Sequence, residues 1–280
     1  MPETPALARG QWAKAPLVFV IAQVQYSPQA DGFSEKLCQL IEQLQPQQYL
    51  PSQVQPMMQF SVQFGEGGVP QQQATKAGVA YNLIRKDGLM TARMAPDSLS
   101  LAATTYENSA HFRKLWAPMV GCLAKAGLVG HLHRLGMRYV DFVVPAEGAT
   151  PEEYVRQPWG LQNFPPLPGA KEKPDLHVSV NDLEFEQGRL RLQYMRGYGE
   201  PMLPIELQGI IGPARREVRP EMATGIIDSD RWMEGSWDPD QGKIDALFQV
   251  MHKNLSDVFR AMITDRAIEE WNPPKEVQST

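Results

Sequence analysis

Apolar residues recur along this chain with two periods. The alternating runs are LVFVIAQVQYS (17–27) and MMQFSVQFG (57–65). A third, GVAYNLIRKDGLMTARMAPDSLSLAATTYE, is broken at Asp87-Gly88 and again at Pro96-Asp97-Ser98. Asp-Gly between alternating runs is a hairpin signal, so residues 78–106 read as an antiparallel meander. The period changes in FSEKLCQLIEQLQP, where Leu37, Leu40, Ile41 and Leu44 recur at helical spacing. Ser34 is the expected N-cap, and Pro46 ends the run. NSAHFRKLWAPMVGCLAKAG places Phe112, Leu115, Trp116, Met119, Val120 and Leu123 on one helical face, with Gly127 as the stop and Pro118 as a bend.

HRLGMRYVDFVVP (133–145) is a strand apolar on both faces, which predicts a central position with cover on each side. It nonetheless holds Arg138 and Asp141. Three residues apart, their side chains project to opposite faces and cannot pair with each other. Each needs a partner of its own, because a lone buried charge is costly. The expectation is that Arg138 reaches the sheet margin or a carboxylate from a helix, and that Asp141 pairs locally. The sharper alternative is that Arg138 anchors an anionic ligand or partner.

Residues 146–174 change character. AEGATPEEYVRQPWGLQNFPPLPGAKEKP is dominated by Pro and Gly and reads as a connection between an N-terminal half, 1–145, and a C-terminal half, 175–280. Its Tyr154, Trp159 and Phe164 imply that it packs on the surface. The second half restarts with LHVSVNDLEFEQGRLRLQYMRGYG, a hairpin turning at Gln187-Gly188. PIELQGIIG and MATGIIDSD read as further strands. In DPDQGKIDALFQVMHKNLSDVFRAMIT, Ile244, Leu247, Phe248, Met251, Leu255, Val258, Phe259, Met262 and Ile263 form the longest helical stripe. The predicted class is α+β: antiparallel sheets with long amphipathic helices packed on one face. Each half shows strands followed by a long helix. That order fits two similar halves, although the residues themselves show no repeat.

Composition adds little specificity. With 27 Lys plus Arg against 32 Asp plus Glu, the formal charge is −5, a poor footprint for nucleic acid and compatible with a basic protein partner. Cys38 and Cys122 stand alone in helical segments, which argues against a disulfide framework and for a reducing compartment. The first apolar run is too short and interrupted for a secretion signal, and none approaches a membrane helix, so the expected location is cytoplasmic.

HRLGMRYVDFVVP also resembles the R-x-G-x-R-Y-x-N strand of an uncharacterised, sporadically distributed bacterial family of similar length. Further stretches match in order: APLVFVIAQVQYS, then SLSLAATTYENSAHFRKLWAPMV with Tyr106 and Phe112. Last come GIIDSD and VMHKNLSDVFRAMITD, with Asp228, Asp230, His252, Phe259 and Thr264. The chain departs at Asp141, where the family often has Asn, and at Met251, where it has Leu. The family brings no settled activity. Its scattered distribution implies a defence, toxin–antitoxin or immunity role.

Candidate chemistry is sparse. His131 and His133 share a strand face near Cys122, yet nothing supplies further metal ligands. His252, between Phe248 and Leu255, reads as a core-margin histidine bonded to a neighbour rather than a general base. Asp228 and Asp230 end a strand, where they could hold Mg²⁺ or simply open a turn. GYGEP and GEGG lack the setting of phosphate loops, and there is no Gly-x-Ser-x-Gly or Cys/His nucleophile pair. No cofactor is predicted. Trp159, Trp232 and Trp237 lie in loop-like stretches and, with Tyr154, are the expected partner anchors. The expectation is a non-enzymatic protein-binding protein: an immunity protein or antitoxin that occludes a toxin, most naturally a basic one. The alternatives are a divalent-metal-dependent enzyme on phosphate or sugar substrates, using Asp228, Asp230 and His252, and a structural component of a phage or secretion assembly.

Overall fold

The structure, a computed structural model, describes residues 14–64, 70–156, 177–208, 210 and 218–271; for 58–64, 70–77 and 177 only the backbone is described. The chain runs β1 (Leu17–Tyr26), α1 (Phe33–Leu44), β2 (Gln53–Phe64), β3 (Pro70–Ile84), β4 (Met90–Ala95), β5 (Ser98–Ala103), α2 (Ser109–Ala126) and β6 (Leu132–Val143). After a 3₁₀ turn at Pro151–Glu153 follow β7 (His177–Glu184), β8 (Arg189–Tyr198), a second 3₁₀ turn at Ile205–Leu207, β9 (Ala223–Trp237), α3 (Gln241–Met262) and α4 (Asp265–Trp271).

Where separate sheets were expected, the strands join in one, in the order β2-β3-β4-β5-β1-β6-β9-β8-β7, with every pairing antiparallel. In the first run of strands the opening strand, β1, pairs with the last, β5; in the second, β6 pairs with β9. The two opening strands lie side by side. The α+β class therefore holds, with β6 central as its double apolar pattern required.

Alternation along β6 sorts the core. Leu135, Met137, Tyr139 and Val143 join a large cluster that also takes buried residues from all four helices, among them Leu37, Trp116, Phe248 and Trp271. Val140 and Phe142 join a second cluster with Val18, Phe19, Ala102 and Ile226, closed by Leu203 and Leu207 from the connection between β8 and β9. The two faces are named below by Tyr139 and Arg138.

Local signals explain most boundaries. Asn108 caps α2 by accepting from the His111 amide, and Gly127 ends it in the left-handed region; Asp240 caps α3 through the Lys243 amide. At α1 the N-cap position belongs to Gly32, and Ser34 is a buried first-turn residue instead. PIELQGIIG, predicted as a strand, has a 3₁₀ turn over its described part. Leu203, just before it, and Leu207, four residues on, are buried without a ladder of strand partners. Among the described residues no helix is long and apolar enough to cross a membrane.

Candidate functional site

The register lines up four charges on one row of the Arg138 face. Asp182 on β7 lies opposite Arg191 on β8, Arg191 opposite Asp230 on β9, and Asp230 opposite Arg138 on β6. Signs alternate across four strands, an arrangement that cross-strand pairing favours. The hydrogen bonds are not those of the register. Arg191 binds Asp182 with Nε at 2.9 Å and Nη2 at 3.0 Å. Arg138 passes over Asp230 and takes its diagonal neighbour Asp228, through Nε at 2.7 Å and Nη2 at 2.5 Å. Its Nη2 also reaches Glu206, at 2.7 Å, on the β8–β9 connection. Among the described residues the Asp230 carboxylate makes no hydrogen bond and no ion pair within 4 Å.

These groups titrate away from their ordinary values. Burial pushes the Asp228 and Asp230 carboxyls up; at Asp228 the Arg138 hydrogen bonds work against this without overcoming it. At Glu206 burial works upward most strongly, but the bond from Arg138, a backbone hydrogen bond and the Arg138 charge together hold the carboxyl low. Next to the row, Trp232 is half-buried on β9 with the Arg134 guanidinium 5.5 Å from its ring centre. Gly136 and Arg189 flank it in register.

On the Tyr139 face lies a second polar group. The Tyr139 hydroxyl is hydrogen-bonded to the Tyr106 hydroxyl at 3.0 Å and to His252 Nδ1 on α3 at 2.8 Å. Nearby, Arg231 is buried. Its guanidinium donates to the carbonyls of Gln187 at 2.8 Å, Arg189 at 3.2 Å and Trp232, to Asn254 Oδ1 at 3.4 Å, and sits 4.5 Å from the Phe185 ring centre. It fastens the β7–β8 hairpin to β9 and α3.

The expected site residues separate accordingly. Arg138 and Asp141 do project to opposite faces, and both are largely buried. Arg138 finds its carboxylates on a neighbouring strand and on the 3₁₀ turn, not on a helix. His252 bonds a neighbour at the core margin, as its place in the stripe required. His131 pairs with Asp238 at 3.1 Å, while His133 is exposed. Among the described residues no three His, Cys, Asp or Glu side chains gather as a metal site.

The aromatic anchors need correction. Trp232 and Trp237 stand on β9, not on loops, because the strand continues well past Asp230. Tyr154 is fully buried: its hydroxyl accepts from the Ala146 amide at 2.9 Å and donates to Glu270 at 2.5 Å, and its ring stacks on Trp271. It offers no surface to a partner. Trp159 lies outside the described residues. The reading of single residues missed Arg191, Asp182 and Glu206, which carry no motif and become neighbours only through the strand order.

No family model, curated protein or solved structure matches the chain.

Proposed function

We propose that this chain is a non-enzymatic protein-binding protein whose contact surface is the Arg138 face of the sheet. The observation that carries this reading is the row Asp182–Arg191–Asp230–Arg138, together with a half-buried Trp232. Such a row stands on a face whose core cluster, among the described residues, takes none from the four α-helices. We read the four helices as covering the Tyr139 face, and the β8–β9 connection as closing the part of this face around Val140 and Phe142, which leaves the stretch over β7, β8 and Trp232 for a partner. The repeated pairing of first strand with last supports reading the chain as two similar halves.

Charged residues held in a fixed row by backbone pairing give orientation and specificity rather than bulk affinity. Asp230 has no ion pair among the described residues, so a lysine or arginine from a basic partner is the group it would receive. The family resemblance supports placing that partner among toxins, with this chain as the immunity protein or antitoxin that occludes it. Metal-dependent catalysis at Asp228 finds less support, because both its oxygens already receive Arg138.

The test is affinity capture with the tagged chain in its host at moderate salt, wild type against Trp232→Ala and Asp182→Lys. One near-stoichiometric basic protein, retained by wild type and lost from both variants, is the expected result. Capture unchanged in both variants would remove the Arg138 face from the reading.

A further inference from the structure

The two edges of the sheet are guarded unequally. β7, at one edge, carries Asp182 and Glu184, ion-paired to Arg191 and Arg189 on β8. β2, at the other, spans Gln53–Phe64 with no charged residue. Folded proteins protect sheet edges with charges, prolines, bulges or short strands, because open amides and carbonyls recruit another strand. In β2 such devices stop early. Pro56 and the register shift after Met57 blunt its first half. The second half, Met58–Phe64, has none.

That second half also stands apart from the rest of the sheet. β4 pairs with β3 only over Tyr81–Ile84, and the β4–β5 turn reaches as far as Gly78, where a Cβ would lie 2.7 Å from Pro96 Cγ. Beyond Gly78, the pairs from Met58–Lys76 to Phe64–Pro70 form a two-stranded arm about 20 Å long. Among the described residues no further strand pairs with it. A lone two-stranded ribbon is marginal in water, and additional strands are what make one stable. Of the arm's two edges, that of β3 is bounded by Pro70 and Lys76. That of β2 is uncharged and alternates strictly, with Met58, Phe60, Val62 and Phe64 separated by Gln59, Ser61 and Gln63.

We propose that the chain dimerises by antiparallel pairing of the β2 arm edge with the same edge of a second copy, about a twofold axis at Ser61. Antiparallel pairing of identical strands is self-complementary, and it closes at two chains because it consumes the unguarded edge of each. Centred on Ser61, it sets Met58 opposite Phe64 and Phe60 opposite Val62. The apolar positions of both copies then share one face of a four-stranded arm. A slip of one residue would set apolar positions opposite polar ones, so the alternation fixes the register. The arm lies at the other end of the sheet from β7 and β8. Each copy therefore keeps the stretch of the Arg138 face assigned to a partner, and the dimer stands or falls independently of that assignment.

Light scattering at tens of micromolar is expected to give twice the 31.4 kDa chain mass. Gln59 of one copy falls opposite Gln63 of the other, so Gln59→Lys with Gln63→Lys sets like charges face to face and should weaken the dimer roughly tenfold. Gln59→Glu with Gln63→Glu should do the same. An equimolar mixture of the lysine and glutamate chains should recover the dimer, which misfolded arms would not. Register is read by oxidation, with native Cys38 and Cys122 both buried. Ser61→Cys chains are expected to cross-link, because their Cβ atoms stand about 5 Å apart. Gln63→Cys chains, roughly 13 Å apart, are expected not to. A monomer, a dimer indifferent to both charge variants, or an assembly that grows beyond two chains with concentration overturns the proposal. Capture of a partner by the Arg138 face is expected to survive the lysine variant, so the two readings fail separately.

Discussion

Arg138 lies directly opposite Asp230 in the β6–β9 register yet directs its Nε and Nη2 to Asp228, two residues along. The diagonal choice leaves Asp228 paired and buried, and leaves Asp230 with only the more distant fields of Arg138, Arg134 and Arg191.

Breaking the pair from one side strands a buried charge. Arg138→Leu is expected to cost about 3–5 kcal/mol, because Asp228 keeps its desolvation without its partner. Arg138→Leu combined with Asp228→Leu should cost much less. Urea unfolding of the two single variants and the double variant measures the coupling; additive effects would mean that the pair does not act as a unit.

Asp230 gives a pH dependence of definite sign. Its carboxyl is raised by burial, so above the ordinary aspartate range the folded chain holds a proton that the unfolded chain has released. That contribution to stability is present at low pH and is lost as pH rises through the raised value. Asp230→Asn does not titrate. Its stability relative to wild type should therefore grow from acid towards neutral pH, as followed by thermal unfolding between pH 3 and 7. A difference that shrinks over this range would contradict the burial argument.

Two glycines with similar backbone angles should answer very differently to alanine. Gly188 has φ +84°, and a Cβ there would lie 2.1 Å from the Trp232 carbonyl oxygen on β9. Gly188→Ala is expected to cost more than about 3 kcal/mol, since backbone must move. Gly88 has φ +71° and nothing within 4 Å, so Gly88→Ala should cost only the left-handed strain of about 1–2 kcal/mol. Denaturant midpoints of the two variants decide the contrast.

Much of this was legible beforehand, for local reasons. Asp87-Gly88 and Gln187-Gly188 set their hairpins, and Gly127 ends its helix, because the required φ values are positive and only neighbours in sequence are involved. The stripe from Ile244 to Met262 gave α3 in the same way. The site was less legible. Strand order brings Asp182, Arg191, Asp230 and Arg138 together from positions scattered over residues 138–230, and no spacing in the chain encodes that. Tyr154 was misplaced because a Pro-rich setting says nothing of whether Trp271, more than a hundred residues on, will cover it.

Arg231 is expected to resist its usual conservative replacement. Three carbonyls and the Phe185 ring surround a planar, forked group, and an ammonium cannot reach them all. Arg231→Lys should lose about 2–3 kcal/mol in denaturant unfolding, the cost of orphaned buried carbonyls. A loss below about 0.5 kcal/mol, the size of an ordinary surface change, would show that the hairpin does not depend on the fork.

Tyr139→Phe removes the hydroxyl that joins Tyr106 to His252 and should cost about 1–3 kcal/mol; Tyr106→Phe, at the less buried end, should cost nearer 1 kcal/mol. Differential scanning calorimetry of both, with the larger fall at Tyr139, is the check.

The side-by-side placement of β1 and β6 bears on how the chain is made. On a ribosome, β1 emerges more than a hundred residues before β6, the strand that will cover one of its edges. Until then it presents open amides and carbonyls beside Val18, Val20, Ala22 and Val24, a sticky combination in a nascent chain. Closure waits on a contact of long sequence separation, which makes folding slow. The pace of synthesis through the first half, and chaperones that shield a lone strand edge, should thus govern the yield of native protein more than its final stability does.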